Sequence, residues 1–200
     1  MRLALSCALL LTLWHSAAAF NEDDLKRVYL RGVNGDRAAV LECVAQARQL
    51  LRARPADALA RAYLGSALIL RSRDLSFGAE KLEVLREGLR ELDAAAAAAA
   101  ENPRVRLLRA FTQQALPALV GRRTVAREDF RILLELAERD RSQLSDSDLQ
   151  LTYFHAAEME RAAGGHARAR ELFRRAARYP ADAKVARQID SALTKSGDAR

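Results

Sequence analysis

The sequence predicts an all-α fold, an array of about nine helices joined by short connections. Three observations carry this. Ala, Leu, Arg and Glu dominate the chain after Phe20, and all are good helix formers. Apolar residues recur at spacings of three and four, and no stretch alternates apolar with polar as a half-buried strand would. Gly, Pro and Asn/Asp signals then divide the chain into segments of helical length. Short connections between such segments make successive helices antiparallel neighbours.

The first helix starts near Asn21, with Glu22, Asp23 and Asp24 in its first turn, and ends at Asn34-Gly35. Acids there complement the helix dipole. The second starts behind Asp36 as cap and stops before Pro55. The third, about 56–73, carries Leu59, Tyr63, Ala67 and Leu70 on one stripe. The fourth begins near Ser76 and holds Leu82, Leu85, Leu89 and Leu92. That stripe, continued, passes through Ala96 and Ala99, inside a run of seven alanines at 94–100. The run is therefore read as the tail of a long helix. Alanine has no side-chain entropy to lose, whereas a flexible spacer is rich in Gly/Ser or Pro. Asn102-Pro103 ends it, and Pro103 opens a fifth helix that closes near Leu116-Pro117. The sixth shows Ala126, Phe130, Leu133, Leu134 and Ala137 on one face. Ser145 or Asp146 caps the seventh, which runs to Gly164-Gly165. The eighth carries Ala169, Leu172, Phe173 and Ala176, and the last, after Pro180, carries Val185, Ile189 and Leu193.

The chain opens MRLALSCALLLTLWHSAAAF. A basic start, an apolar run and a small-x-small end form the pattern of a secretory signal. It predicts a signal peptide over 1–19, cleavage after Ala19, and a mature domain over 20–200. The apolar run is shorter than the roughly 20 residues that span a bilayer, so no transmembrane anchor remains after processing. Cys7 lies inside the run and Cys43 far beyond it, which argues against a lipoprotein signal. The mature chain keeps Cys43 alone, so it forms no internal disulfide. Cys43 lies among Val40, Leu41, Val44 and Ala47 and is read as a small buried hydrophobe. The expected location is bacterial and exported, in the periplasm or secreted.

The sequence holds 33 Lys+Arg against 26 Asp+Glu. Without Arg2 the balance is 32 to 26, a net charge of +6. Of the 33 basic residues 29 are Arg, since Lys26, Lys81, Lys184 and Lys195 are the four Lys. With so much alanine, this is the usage a GC-rich genome favours. A nucleic-acid binder gathers positive charge on one face. Here acids are interleaved almost throughout, so nucleic acid is not the expected partner. Six Arg between 161 and 178 face only Glu171, and a solvated helix surface is the preferred reading of that segment.

Internal repetition refines the architecture. The stretch RPADALARAYLGSALI, 54–69, resembles the start of a tetratricopeptide repeat, with Pro55 closing one unit and Leu64-Gly65 following at the family's spacing. The stretch TYFHAAEMERAAGGHARARELFRRAARYP, 152–180, resembles most of one unit of about 34 residues. Tyr153 and Ala157 fall on its first helix, Gly164 at its turn, and Ala169, Phe173 and Ala176 on its second. Gly35 to Pro55 and Ser76 to Pro103 exceed the family's lengths, so the repeats are degenerate, roughly three or four in number. The resemblance implies a right-handed α-α superhelix, a surface lined by the first helix of each repeat, and protein or peptide partners. It also implies that Gly65 lets a neighbouring helix approach closely.

Chemistry is sparse. No phosphate-binding loop, nucleophile elbow, metal set or cofactor motif is legible, and no enzyme activity or cofactor is expected. His155 and Glu158 share metal-ligand or acid-base spacing, but two groups do not make a site. The expected function is a non-catalytic scaffold for protein or peptide partners in the cell envelope. The alternative is a module that holds a small anionic ligand or envelope polymer with Arg side chains. The candidate groove comprises Arg61, Tyr63, Arg106, Arg109, Thr152, Tyr153 and His155, with Arg61, Arg106, Thr152 and His155 expected to face outward. Oligomeric state leaves no trace in the sequence.

Overall fold

The computed structural model describes residues 22–197, so the expected signal peptide at 1–19 and the cap at Asn21 lie outside the described residues. Nine α-helices follow one another among the described residues: α1 Glu22–Val33, α2 Arg37–Ala53, α3 Ala58–Asp74, α4 Ala79–Ala98, α5 Pro103–Gln114, α6 Arg123–Arg139, α7 Asp146–Ala162, α8 His166–Ala176 and α9 Ala183–Gly197. Two single 3₁₀ turns, Ala118–Val120 and Arg141–Gln143, lie in the connections. There is no strand among the described residues.

Polar residues stop and start these helices. Asp36 accepts from the Ala39 amide at 3.0 Å, and Asp57 from the Ala60 amide at 2.9 Å. Asn102 accepts from the amides of Arg104 and Val105, with Pro103 behind it. Ser145 and Asp148 form a reciprocal capping box, which settles Ser145 as the cap of α7. Gly35 and Gly164 have φ values of 103° and 84°, a left-handed turn that only glycine adopts without strain.

The helices pack in antiparallel pairs, α1 with α2, α3 with α4, α5 with α6 and α7 with α8, while α9 covers the end of the array. The first helix of each pair is called A here and the second B. A helices stack on A helices, α1 on α3 and α3 on α5. Consequently all A-to-B turns lie along one edge of the array. The core follows the stack in three patches, one over α1–α3, one joining α3, α4 and α5, and one running from α5 to α9.

Two expectations for the second pair need correction. No single stripe of α3 is buried. Every residue from Ala62 to Ile69 is buried, because neighbours surround the helix. On α4 the buried positions are Val84, Gly88, Leu92, Ala95 and Ala96, whereas Leu82 is exposed and Leu85 and Leu89 flank the contact. The reason is the crossing of the two backbones. A Cβ at Gly65 would lie 2.7 Å from Gly88 O, and one at Gly88 would lie 2.7 Å from Gly65 O. Paired glycines thus let α3 and α4 touch main chain to main chain, and the face of α4 carrying Gly88 turns inward. Helix α4 continues into the alanine run as far as Ala98. Ala95 and Ala96 pack with Ala62, Ile69, Leu92 and Val105.

Candidate functional site

Of the seven candidate groove residues, most are consumed by the array itself. Arg61 on α3 donates to Glu91 of α4 and to the Pro55 carbonyl, both at 3.0 Å. It braces the α2–α3 connection. Tyr63 is buried against Tyr29, with ring centres 5.4 Å apart, and burial raises its phenol pKa, helped by the nearby Tyr29 and Cys43. Tyr153 stacks on Tyr179 at 5.9 Å, and Arg141 lies over the outer ring. Thr152 has no exposed surface, so the expectation that it faces outward is not met. Helix α7 presents that side chain to the interior instead.

Arg106 is likewise turned inward, together with Arg109. Asp129 of α6 is fully buried and accepts from Arg106 Nη1, Arg109 Nε and Arg109 Nη2, each at 2.7 Å. Arg109 Nη1 also reaches Asp93 of α4 at 3.2 Å, and Arg122, at the start of α6, donates to the same carboxylate. Burial works against the Arg109 charge, but its bonds to Asp129 and the fields of Asp129 and Asp93 more than offset this and raise its pKa. Arg106 Nε donates to the Ala100 carbonyl at 2.7 Å, which pins the end of the alanine run to α5. This cluster welds the second pair to the third. The sequence does not single out Asp93, Arg122 or Asp129 as a site, because nothing local distinguishes them from the many surface charges around them. A second inner link, Ser66 Oγ to Thr112 Oγ1 at 2.9 Å, joins α3 and α5.

His155 sits among Phe111, Phe130 and Phe154, with ring centres 5.1–6.0 Å away. Its ring is half-buried against these rings, so it does not stand free on the surface as expected, whereas Thr152 is wholly enclosed. Gln114 Nε2 lies 2.9 Å from its Nδ1, so the amide donates and the ring proton rests on Nε2. Glu158 turns instead to Arg161, 2.6 Å away. Burial lowers the His155 pKa to about 4, with Glu158 opposing weakly. A histidine held neutral takes up its proton more readily unfolded than folded. Its contribution is therefore complete above about pH 6.5 and is lost as pH falls towards 4, up to about 3 kcal/mol. The melting temperature of the parent protein is expected to drop across that window relative to a His155→Gln variant. Parallel pH profiles of the two would show no such role for His155.

Cys43 is buried as read from the sequence, and its thiol is pushed up to about 12 by burial. The Arg-rich segment is laced with surface pairs, Arg168 to Glu171 at 2.7 Å and Arg175 to Glu138 at 2.8 Å. No cluster of three or more metal-binding side chains occurs among the described residues. No described helix is long and apolar enough to cross a membrane.

Six large hydrophobic side chains also stay on the surface. Leu30, Val33, Leu41, Phe77, Leu82 and Leu119 are the large hydrophobic residues left exposed among those described. All six lie at or within about two turns of the A-to-B connections of the first three pairs. They therefore share one edge of the array. Phe77 and Leu119, at 89% and 91% exposure, stand at the tips of two of those connections.

A scan against protein-family models finds no match, and a search of curated proteins finds none. Among solved structures the chain is similar to a thermophilic TPR protein of Thermus thermophilus, with a TM-score of 0.61 and 19% identity. That similarity covers 87% of this chain and 84% of the other. With the A-on-A stacking and the turn glycines, the comparison identifies the fold as a right-handed, TPR-like α-α superhelix of degenerate repeats.

Proposed function

We propose that this chain is an exported, non-catalytic scaffold whose partner is a protein, bound along the edge of the A-to-B turns. The observation that carries the reading is the gathering of every exposed large hydrophobic residue of the described chain on that edge. Fully exposed Phe and Leu at loop tips cost solubility and add nothing to the fold, and apolar patches of this kind mark interaction sites. A stack of repeats offers an extended surface suited to a protein better than to a small substrate. The inner arginines support the same choice, because Arg106, Arg109 and Arg122 are already held by Asp93 and Asp129.

A Phe77→Asp, Leu119→Asp double variant should keep the parent melting temperature, since neither side chain is packed. Its affinity for partners captured by the parent protein should fall at least about tenfold. Undiminished capture by the folded variant would rule out the edge. Export rests on the Ala17-x-Ala19 pattern alone. Sequencing the mature protein should find Phe20 first, and a retained Met1 would remove the envelope from this reading.

A further inference from the structure

A cleft of about 330 Å³ lies between α6, α7 and α8, at the junction of the third and fourth pairs. Its floor is apolar, made by Phe130, Leu134, Ala156, Met159 and Leu172. Its rim is charged, carrying Arg127, Arg131 and Arg168 beside Glu128 and Glu160. Two of the three guanidiniums are committed, Arg131 to Glu128 and Glu135, and Arg168 to Glu171. Arg127 has no carboxylate or carbonyl partner among the described residues. Glu160 does not answer it, because its carboxylate stands beside Gly165 at the start of α8, where no side chain caps the helix and the dipole favours an anion. The cleft thus presents one uncommitted cation beside an apolar floor.

Size and openness narrow the ligand. Small-molecule sites enclose most of their ligand in about 300–1,000 Å³. This cleft is at the lower end of that range, and Thr124, Arg127, Glu128, Arg131 and Arg168 along its rim are exposed. It has room for one bulky side chain while leaving the ligand's backbone at the surface. We propose that the cleft recognises an extended peptide of a partner protein, with an apolar side chain entering over Phe130 and Met159 and an adjacent carboxylate meeting Arg127. This rests on the scaffold reading but uses a different surface from the apolar edge.

The test is titration of the full chain with the capped peptide acetyl-Gly-Glu-Phe-Glu-Gly-amide, followed by chemical shifts of α6–α8. Replacing Phe by Ser, or both Glu by Lys, should each weaken binding about tenfold. Arg127→Glu should leave the melting temperature unchanged and invert the preference between the acidic and basic peptides. The Phe77→Asp, Leu119→Asp variant should bind the acidic peptide like the parent, so a failure here leaves the edge reading standing, and the reverse. Equal binding of the acidic peptide by Arg127→Glu and the parent overturns the proposal, as does a Ser peptide that binds like the Phe peptide. Phenylacetate competing as well as the peptide would make this a small-molecule site and would also overturn it.

Discussion

An Asp129→Ala variant is expected to lose about 3–5 kcal/mol of unfolding free energy, the usual consequence of leaving a buried charge without its partner. Asp129 has no exposed surface, and it accepts three bonds of 2.7 Å from two guanidiniums whose side chains are only 10% and 12% exposed. Removing the carboxylate leaves Arg106 with no anionic partner among the described residues and Arg109 with only the half-exposed Asp93, at the junction between the second and third pairs. A domain of this size is typically stable by about 5–15 kcal/mol, so the variant should populate unfolded forms at moderate temperature. Asp93→Ala provides the contrast. Asp93 is 41% exposed, and solvent can replace its bonds to Arg109 and Arg122, so about 1 kcal/mol or less is expected. Urea denaturation of both variants measures the difference. Equal midpoints for the two would mean that water reaches Asp129 and that the cluster does not hold the junction.

The second large effect has a sign that helix propensity gets wrong. In an exposed helix interior, Gly→Ala stabilises by about 1 kcal/mol. At Gly65 a Cβ would lie 2.7 Å from Gly88 O and 2.8 Å from both Leu92 N and Leu92 Cγ. Two of those atoms are backbone and cannot swing away, so α3 and α4 must move apart. Gly65→Ala should therefore destabilise by about 1–3 kcal/mol, and Gly65→Leu by the upper end of that range or more. Gly88→Ala should behave alike, because its Cβ meets Gly65 O and Ile69. Once either substitution has parted the helices, the other costs less, so the double Gly65→Ala, Gly88→Ala variant should fall short of the sum. Strict additivity, or a gain in melting temperature from either single change, would show that the crossing is looser than described.

Helix boundaries were the most legible part. Asp36, Asn102-Pro103 and Gly164-Gly165 punctuate the chain through their own backbone chemistry, and the helices start and stop where those residues place them. The inward face of α6 was equally readable, since Ala126, Phe130, Leu133 and Ala137 bury as their period requires. Periodicity did less well on α3, where all-round burial erases a stripe, and on α4, where the leucine row is not the row that packs. A row of leucines states only that a face can be buried. Which face turns inward at a crossing was decided by the pair Gly65 and Gly88, and the partner of Gly65 lies on the next helix.

The same division runs through the site. Composition and punctuation by themselves determined an all-α chain of about nine helices, because helix propensity, capping and apolar spacing are local properties. They also marked Cys43 as a core residue, and the resemblance to a tetratricopeptide repeat implied that Gly65 is a point of close approach. Charge could not be read this way. The sequence holds 29 arginines, and each looks alike until a carboxylate from another helix is placed beside it. Only the stacking of α4, α5 and α6 separated Arg106 and Arg109, enclosed with Asp129, from Arg127, left free on a cleft. Desolvation and pairing depend on distances across elements, so tertiary structure alone decided which arginines hold the molecule together and which remain for a ligand.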